Sequence, residues 1–269
     1  MELFKNNQDQ ILRSSSGNIM TRPYDFGNAF VNESNNYIQV NREFSQYLNL
    51  YAWVYEPLIL GEQTYLFYSE NTNDDYFSLR YRRMNSNAFY SKNRADLNGT
   101  STNCLWWNTG AITITNPGVN LFSLNLRENG INSLKVNGNT TITRTQTTTN
   151  DYPLTKIELG RLFNNYNTGT RRINRVFLLD RELTSDELNY LYNNKLGRNP
   201  LTEEGLILDI RNNFAEILDF SEEQDGSDTR VGVRDFSGNN YHGEIMNLPA
   251  GTLEEQLNYA NANLFKSFL

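Results

Sequence analysis

Three pairs of neighbouring acidic residues are the first candidates for chemistry in this chain: Asp74-Asp75, Asp186-Glu187 and Glu203-Glu204. Two carboxylates that face each other across a cleft can hydrolyse a glycosidic bond. Adjacent residues on a strand point to opposite faces, however, and these pairs fall in predicted turns or at a predicted helix start. An E-x-D-x-x-E pattern is also absent. The sequence therefore disfavours catalysis by paired acids and predicts a non-enzymatic protein.

His242 is the only histidine, so a Ser-His-Asp triad would have to use it. It stands in a turn rich in Asn and Gly, where a structural hydrogen bond is the favoured role. A zinc site needs several Cys or His ligands, and the chain offers one histidine and one cysteine, Cys104. Triad catalysis and zinc binding are therefore both disfavoured.

A calcium site is the remaining metal hypothesis. Calcium binds carboxylate, carbonyl and amide oxygens, which acidic loops supply. The candidate ligands are Asp225, Asp228, Asp235 and Asn239. The alternative, which the pattern favours, is that Asp235 and Asn239 stabilise a turn through hydrogen bonds from their side chains to the backbone. No cofactor is therefore expected, and calcium stays open as the alternative.

The tandem Trp106-Trp107 is the best candidate for a glycan contact. The C–H faces of sugar rings pack on aromatic rings, and one of two neighbouring residues on a strand points outward. Asn103 and Asn108 flank the pair and offer hydrogen-bonding groups to sugar hydroxyls. An interface between subunits would explain an exposed tryptophan equally well.

Composition and charge narrow the class of partner. The chain has 269 residues and a formal net charge of -7, whereas binding to nucleic acid needs clustered Lys and Arg. A single cysteine excludes an internal disulfide. The N-terminal MELFKNNQDQ has no basic region followed by an apolar run, so no signal peptide is predicted. No apolar run reaches the roughly 20 residues of a membrane span, so no membrane insertion is predicted.

The elements that must position these residues are mostly short strands. Leu48–Tyr55 is apolar or aromatic on both faces, as in a central strand of a two-layer structure. Asn129-Gly130 and Asn137-Gly138 are hairpin signals, because both residue types tolerate a positive φ. Further strands are predicted at residues 64–70, 76–83, 87–91, 111–115, 119–126, 133–137 and 155–160. Short strands at near-regular spacing indicate a β-sandwich or jelly roll.

The segment Gly169–Gly197 combines a buried strand with a capped helix. Ile173–Leu179 is an apolar, β-prone run. Thr184 stands three residues before Glu187, which is the spacing of a capping box at a helix start. Gly197 is placed to end the helix in a left-handed conformation. We expect this strand to pair with either the N-terminal arm or the later apolar run 206–210.

Four stretches together resemble the concanavalin A-like, laminin G-type jelly-roll family. They are Tyr24–Val40, Leu48–Tyr55, Ser133–Gly138 and, as the most specific match, Ile173–Leu191. The resemblance implies an all-β, concanavalin A-like jelly-roll β-sandwich with a short helix after the last core strand and a C-terminal extension. Members of this family often bind calcium in their loops, which adds weight to calcium as the alternative cofactor.

A fifth stretch also resembles this family, but it occurs at an unusual position in the chain. Asp235–Gly243 resembles the D-x-S-G-N-x-x-H-G motif that usually opens such a domain, but here it follows the closing helix. The first and last strands of this fold lie side by side, so the C-terminal segment is expected to complete the sandwich in permuted order or to dock on it. The alternatives are an unfinished second unit and docking on a neighbouring subunit. The predicted organisation is an arm or edge strand at residues 1–22, a jelly roll at 23–197 and a C-terminal segment at 198–269 that ends in a helix.

The resemblance and the composition lead to two classes of function. The first is a structural or attachment protein of a virus particle, such as a bacteriophage head or tail component of decoration or fibre type, whose lectin-like fold binds glycans. The alternative is a bacterial carbohydrate-binding module, and a glycoside hydrolase of the same fold comes third. Expected partners are other virion proteins, copies of the chain itself and cell-surface or secreted glycans. The expected location is the virion, after synthesis in a host cytoplasm, and the alternative is extracellular.

Overall fold

The computed structural model describes most of the predicted sandwich. The described residues are 27–31, 35–45, 47–56, 63–70, 76–83, 87–94, 104–106, 118–125, 127, 130–138, 140–146, 155–161, 172–192, 205–221 and 229–268. The predicted N-terminal arm at residues 1–22, the predicted strand at 111–115 and the predicted helix end at Gly197 lie outside these ranges.

The described residues form seventeen strands and two helices. In chain order they are β1 (Asn28–Val31), β2 (Tyr37–Val40), β3 (Asn49–Glu56), β4 (Gln63–Glu70), β5 (Tyr76–Arg83), β6 (Asn87–Arg94), β7 (Cys104–Trp106), β8 (Gly118–Asn125), β9 (Gly130–Val136), β10 (Thr140–Gln146), β11 (Lys156–Leu159), β12 (Arg172–Leu179), α1 (Ser185–Tyr192), β13 (Leu206–Arg211), β14 (Glu216–Asp219), β15 (Thr229–Val233), β16 (Gly243–Met246), α2 (Leu253–Asn263) and β17 (Phe265–Ser267).

The strands form two antiparallel sheets that pack face to face. The eight-stranded sheet has the order β10-β9-β8-β3-β12-β1-β17, and β13 also pairs with β12. The nine-stranded sheet has the order β14-β15-β16-β2-β11-β4-β5-β6-β7. Apolar side chains from both inner faces form the main core, including Ile38, Ile157 and Ile245 from the second sheet. The predicted fold class, an all-β jelly-roll sandwich with a short helix after the last core strand and a C-terminal extension, is confirmed.

Helix α1 covers the outer face of the eight-stranded sheet. Its Leu188 and Leu191 pack with Trp53 and Phe177 of that face in a second apolar cluster. The segment before the helix is also fixed, because the Leu183 N–H donates to the Tyr51 hydroxyl at 2.7 Å. The part of this outer face beneath α1 is therefore buried and apolar. Among the described residues, no helix is long and apolar enough to cross a membrane.

Strand β12 pairs with three neighbours. On one side it pairs with β3, and on the other it pairs with β13 from Arg175 to Leu179 and with β1 at Arg172 and Ile173. The expected pairing with the apolar run 206–210 is therefore present. At the point where β13 ends, the Asn212 Nδ2–H donates to the Ile173 carbonyl at 3.0 Å. The C-terminal segment thus contributes β13 and β17 to one sheet and β14, β15 and β16 to the other.

Three further strands complete the described fold. Residues 214–220 contain the edge strand β14. The Thr-rich stretch 140–149 contains β10, which pairs along its whole length with β9. The predicted C-terminal helix is present as α2, but the chain continues into β17, because Phe265 and Phe268 are buried against the eight-stranded sheet.

The capping box of α1 gives a first prediction, for Glu187→Gln. We expect the free energy of unfolding to fall by about 1 kcal/mol at neutral pH, the usual size of a helix-cap contribution. Arg181 donates to both Glu187 oxygens, at 2.8 and 3.0 Å, and the Thr184 N–H donates at 2.8 Å. These contacts, the arginine first, lower the pKa of Glu187 from 4.5 to about 2.

The sign of the pH dependence follows from that lowered pKa. The contribution of Glu187 is present above pH 4.5 and is lost as the pH falls toward 2. Urea titrations of the wild type and the variant should therefore differ at pH 7 and converge toward pH 2. A difference that stays constant over this range would contradict the assignment.

Candidate ligand-binding face

The two outer faces of the sandwich differ in character. Helix α1 packs on part of the outer face of the eight-stranded sheet, whereas β2 and β11 carry polar side chains on the outer face of the nine-stranded sheet. Strand β11 shows the alternation: Ile157 and Leu159 point into the core, and Lys156 and Glu158 point the other way. Polar side chains on one face of a sheet are the normal mark of a surface that meets solvent or a ligand. We name this surface the Glu158 face, defined by Tyr37, Gln39, Lys156, Glu158 and Arg161.

Glu158 is the centre of the face and is fully buried. Its Oε2 lies 2.5 Å from an Arg161 guanidinium nitrogen, and its Oε1 lies 3.1 Å from the Lys156 Nζ. The second contact is an ion pair without hydrogen-bond alignment. Gly160 has a φ of +73°, and this left-handed turn brings Arg161 back over the strand it has just left. A buried carboxylate thus fixes two partly exposed cations.

Tyr37 and Gln39 extend the face onto β2. The Arg161 guanidinium lies over the Tyr37 ring, 5.6 Å from its centroid. Burial, and next the nearby Glu158 carboxylate, raise the pKa of Tyr37 above its usual value of 10.0. Gln39 donates from Nε2 to the Asn41 side-chain oxygen at 2.7 Å, which orients its amide. An aromatic ring, an oriented amide and fixed charges therefore share one surface.

The C-terminal segment continues the same face. Glu244 of β16 pairs in register with Gln39, which pairs on its other side with Glu158. Glu244 forms an ion pair with Arg230 of β15. Both carboxylates of the row are therefore held by arginines. This arrangement suits a rigid set of hydrogen-bonding groups more than a pair of catalytic acids, one of which must donate a proton.

The register places Trp106 in the same lateral row as Glu158. Trp106 pairs with Lys92, Lys92 with Ser78, Ser78 with Tyr68, and Tyr68 with Glu158. Residues that pair across strands share a face of the sheet. The predicted glycan contacts Trp107, Asn103 and Asn108 lie outside the described residues. The glycan role of all four predicted residues stays a prediction.

The misplaced motif has a clear structural role. The Asp235 carboxylate accepts the N–H groups of Asp209 and Ser237 on Oδ1, both at 2.9 Å, and the Tyr241 N–H on Oδ2 at 3.0 Å. The Asn239 side chain donates to the carbonyls of Leu206 and Ile207. Most of these groups belong to β13, so the motif loop lies along the edge of that strand. His242 takes part too, since its Nδ1 accepts the Asp235 N–H at 3.1 Å.

The predicted calcium ligands are only partly within the described residues. Asp225 and Asp228 lie outside them. Asp235 and Asn239 make the turn hydrogen bonds that the sequence favours as the alternative. Within the described part of the chain, no three His, Cys, Asp or Glu residues lie together in a way that suits a metal ion. Calcium binding stays a prediction.

The comparisons with known proteins identify no family. No family model and no curated protein matches the chain. Among solved structures, the SAP-like pentraxin of Limulus polyphemus is 10% identical, with a TM-score of 0.44, over 62% of this chain and 83% of that one. The carbohydrate-binding module CBM40 of the Ruminococcus gnavus IT-sialidase is 15% identical, with a TM-score of 0.42, over 62% of this chain and 98% of that one.

An enzyme is among the similar structures as well. The sialidase of Trypanosoma rangeli is 16% identical, with a TM-score of 0.39, over 59% of this chain but only 24% of its own length. The chain thus spans about a quarter of that enzyme. Likeness at this level describes architecture only, so it assigns this chain neither a ligand nor an activity.

Proposed function

We propose that this chain is a non-enzymatic glycan-binding sandwich and that the Glu158 face is its binding surface. The observation that supports the proposal is the fixed set of polar and aromatic groups around the buried Glu158. On the opposite outer face, α1 covers the region around Trp53 and Phe177.

The chemistry of the face matches what a sugar presents. Sugar hydroxyls both donate and accept hydrogen bonds, and the face offers charged donors on Lys156 and Arg161 and an oriented amide on Gln39. The apolar C–H side of a sugar ring packs on an aromatic ring, and Tyr37 lies beside these groups. Groups that are already fixed lose little conformational entropy when a ligand binds, which favours recognition.

A glycan array followed by affinity electrophoresis tests the proposal. The array identifies a polysaccharide that the wild type binds, and retention is then measured in gels that contain it. Arg161→Gln should weaken binding about tenfold or more, because a hydrogen bond to a charged group contributes about 1.5–3 kcal/mol. Trp106→Ala should also reduce retention if its row forms part of the site.

Arg127→Gln is the matched control for this experiment. Arg127 is also a surface arginine in an ion pair, with Glu182, and its side chain is 53% exposed, but it lies away from the Glu158 face. Its loss should leave retention unchanged. Binding that survives Arg161→Gln and Gln39→Ala in folded protein would exclude the Glu158 face, and an array without any hit would count against glycan binding.

The role in a virus particle is a finer proposal that builds on glycan binding. It is supported by the single cysteine, which excludes an internal disulfide, and by the Asn- and Tyr-rich composition. A virion component should form a symmetric oligomer or decorate a lattice. Size-exclusion chromatography with light scattering should show that oligomer. A strict monomer that binds one polysaccharide tightly would favour the carbohydrate-binding module instead.

A further inference from the structure

Arg42 has an unusual environment two residues beyond the end of β2. Its guanidinium lies over the ring of Tyr241 in the motif loop, 5.4 Å from the ring centroid. The Tyr241 ring packs edge-to-face against the buried Phe44, with centroids 6.0 Å apart and an interplanar angle of 88°. Two aromatic rings and the turn after β2 therefore fix the position of this cation.

Arg42 differs from the other arginines whose side chains the structure describes. Each of the others donates to a carboxylate or a carbonyl oxygen: Arg127, Arg161, Arg172, Arg175, Arg181, Arg211, Arg230 and Arg234. The Nε of Arg42 is buried and has no hydrogen-bond partner. Arg42 as a whole is only partly buried, so a ligand would meet the guanidinium through its outer nitrogens, not through Nε. A cation that is fixed over a ring without a protein acceptor favours a ligand that supplies one.

We infer that Arg42 binds the carboxylate of an acidic ligand at this end of the sandwich. The planar guanidinium fork matches a carboxylate with two parallel hydrogen bonds. A phosphate dianion fits less well, because the exposed Glu43 stands next in the chain and the protein as a whole carries a net charge of -7. This inference does not require that the Glu158 face binds a glycan.

Nuclear magnetic resonance titrations test the inference with simple probes. Sodium glucuronate supplies a carboxylate on a sugar ring, sodium phosphate supplies a competing oxyanion, and sodium chloride at equal ionic strength is the salt control. The expected result is that glucuronate shifts the Arg42 Nε–H resonance and the backbone amides of residues 240–243, with saturation. Phosphate should shift them at least several-fold less at equal concentration, and chloride should not shift them.

Two variants and a control complete the experiment. Arg42→Gln should abolish the glucuronate shifts at residues 240–243, and Arg42→Lys should weaken binding about tenfold, because it keeps the charge but loses the fork. The control variant Arg127→Gln changes a residue away from Arg42, so it should bind glucuronate as the wild type does. Equal shifts with chloride or phosphate would overturn recognition of a carboxylate. The absence of any saturable shift with glucuronate, or unchanged shifts in Arg42→Gln, would overturn the site.

Discussion

Asp235→Ala is expected to lower the free energy of unfolding by about 3 kcal/mol or more. The buried Asp235 carboxylate accepts three backbone N–H groups, including that of Asp209 in β13, and also the Ser237 hydroxyl at 2.6 Å. Hydrogen bonds to a charged group contribute about 1.5–3 kcal/mol each, and a buried donor left without its acceptor adds a further cost. Removing the carboxylate therefore frees both the motif loop and the edge of β13.

Asp219→Ala is the matched control for this prediction. The Asp219 carboxylate accepts the N–H of the residue two positions later, Ser221, at 2.9 Å, which is the same local turn that Asp235 makes with Ser237. Asp219 is exposed, so its loss should cost far less than the loss of Asp235. Urea denaturation followed by circular dichroism measures the loss of stability in both variants. Equal costs would show that Asp235 only stabilises its own turn.

A third, milder variant tests the same prediction if Asp235→Ala does not fold. Asp235→Asn keeps one carbonyl oxygen and the shape of the side chain but loses the charge. It should retain the bond from the Asp209 N–H and lose part of the contacts on Oδ2. Its stability should fall between those of the alanine variant and the wild type. A stability equal to the wild type would mean that the negative charge contributes nothing.

Local contacts explain why the strand β12 and the helix α1 can be predicted from the sequence. The Thr184 and Glu187 side chains each bond the other residue's backbone N–H across three positions, so the pattern contains both partners. The fold class follows in the same way, from strand length and turn spacing. The strand β17, which follows the terminal helix, cannot be predicted from local contacts. It depends on the pairing of Phe265 with Phe30 of β1, which lies far away in the chain.

The Glu158 face was beyond sequence reasoning because its members come from distant strands. The run Lys156–Leu159 alternates charged and apolar residues and so predicts a strand with one polar face. Nothing in that run indicates that Tyr37 and Gln39 lie beside it, or that Glu244 follows on the next strand. Strand β11 pairs with β2, which lies more than a hundred residues earlier in the chain. Carboxylate spacing along the chain therefore does not indicate Glu158.

The position of the motif loop also explains why the C-terminal segment forms part of the sandwich. Its strand β13 pairs with the closing strand β12, and its strand β16 pairs with β2. The motif loop Asp235–Gly243 therefore lies against β13 within the sandwich, although it comes late in the chain. Because Glu244 and Arg230 of this segment extend the Glu158 face, the same arrangement also shapes the proposed binding surface.

Asp209→Ala is the second substitution with a large expected effect, about 3–5 kcal/mol of lost stability. The Asp209 carboxylate of β13 accepts two hydrogen bonds from Arg175 of β12, at 2.6 and 2.7 Å. It also accepts one at 2.9 Å from Arg211 of its own strand, whose side chain is one-third exposed and can turn to solvent when Asp209 is replaced. Both side chains are almost fully buried, with 0% and 2% of their surface exposed. Removing the aspartate leaves a buried guanidinium without its counter-charge. Chemical denaturation measures the loss.

A double variant separates the value of the pair from the cost of breaking it. Arg175→Met combined with Asp209→Leu removes both charges and keeps apolar volume, and buried ion pairs replaced in this way are often neutral. We therefore expect the double variant to lie within about 1 kcal/mol of the wild type, although each single variant is strongly destabilised. Glu216→Ala, which breaks the surface pair with Arg234, should cost about 0–1 kcal/mol. If the double variant is as unstable as Asp209→Ala, the ion pair itself joins β13 to β12, and the apolar contacts between these strands are not sufficient to hold the C-terminal segment in the sandwich.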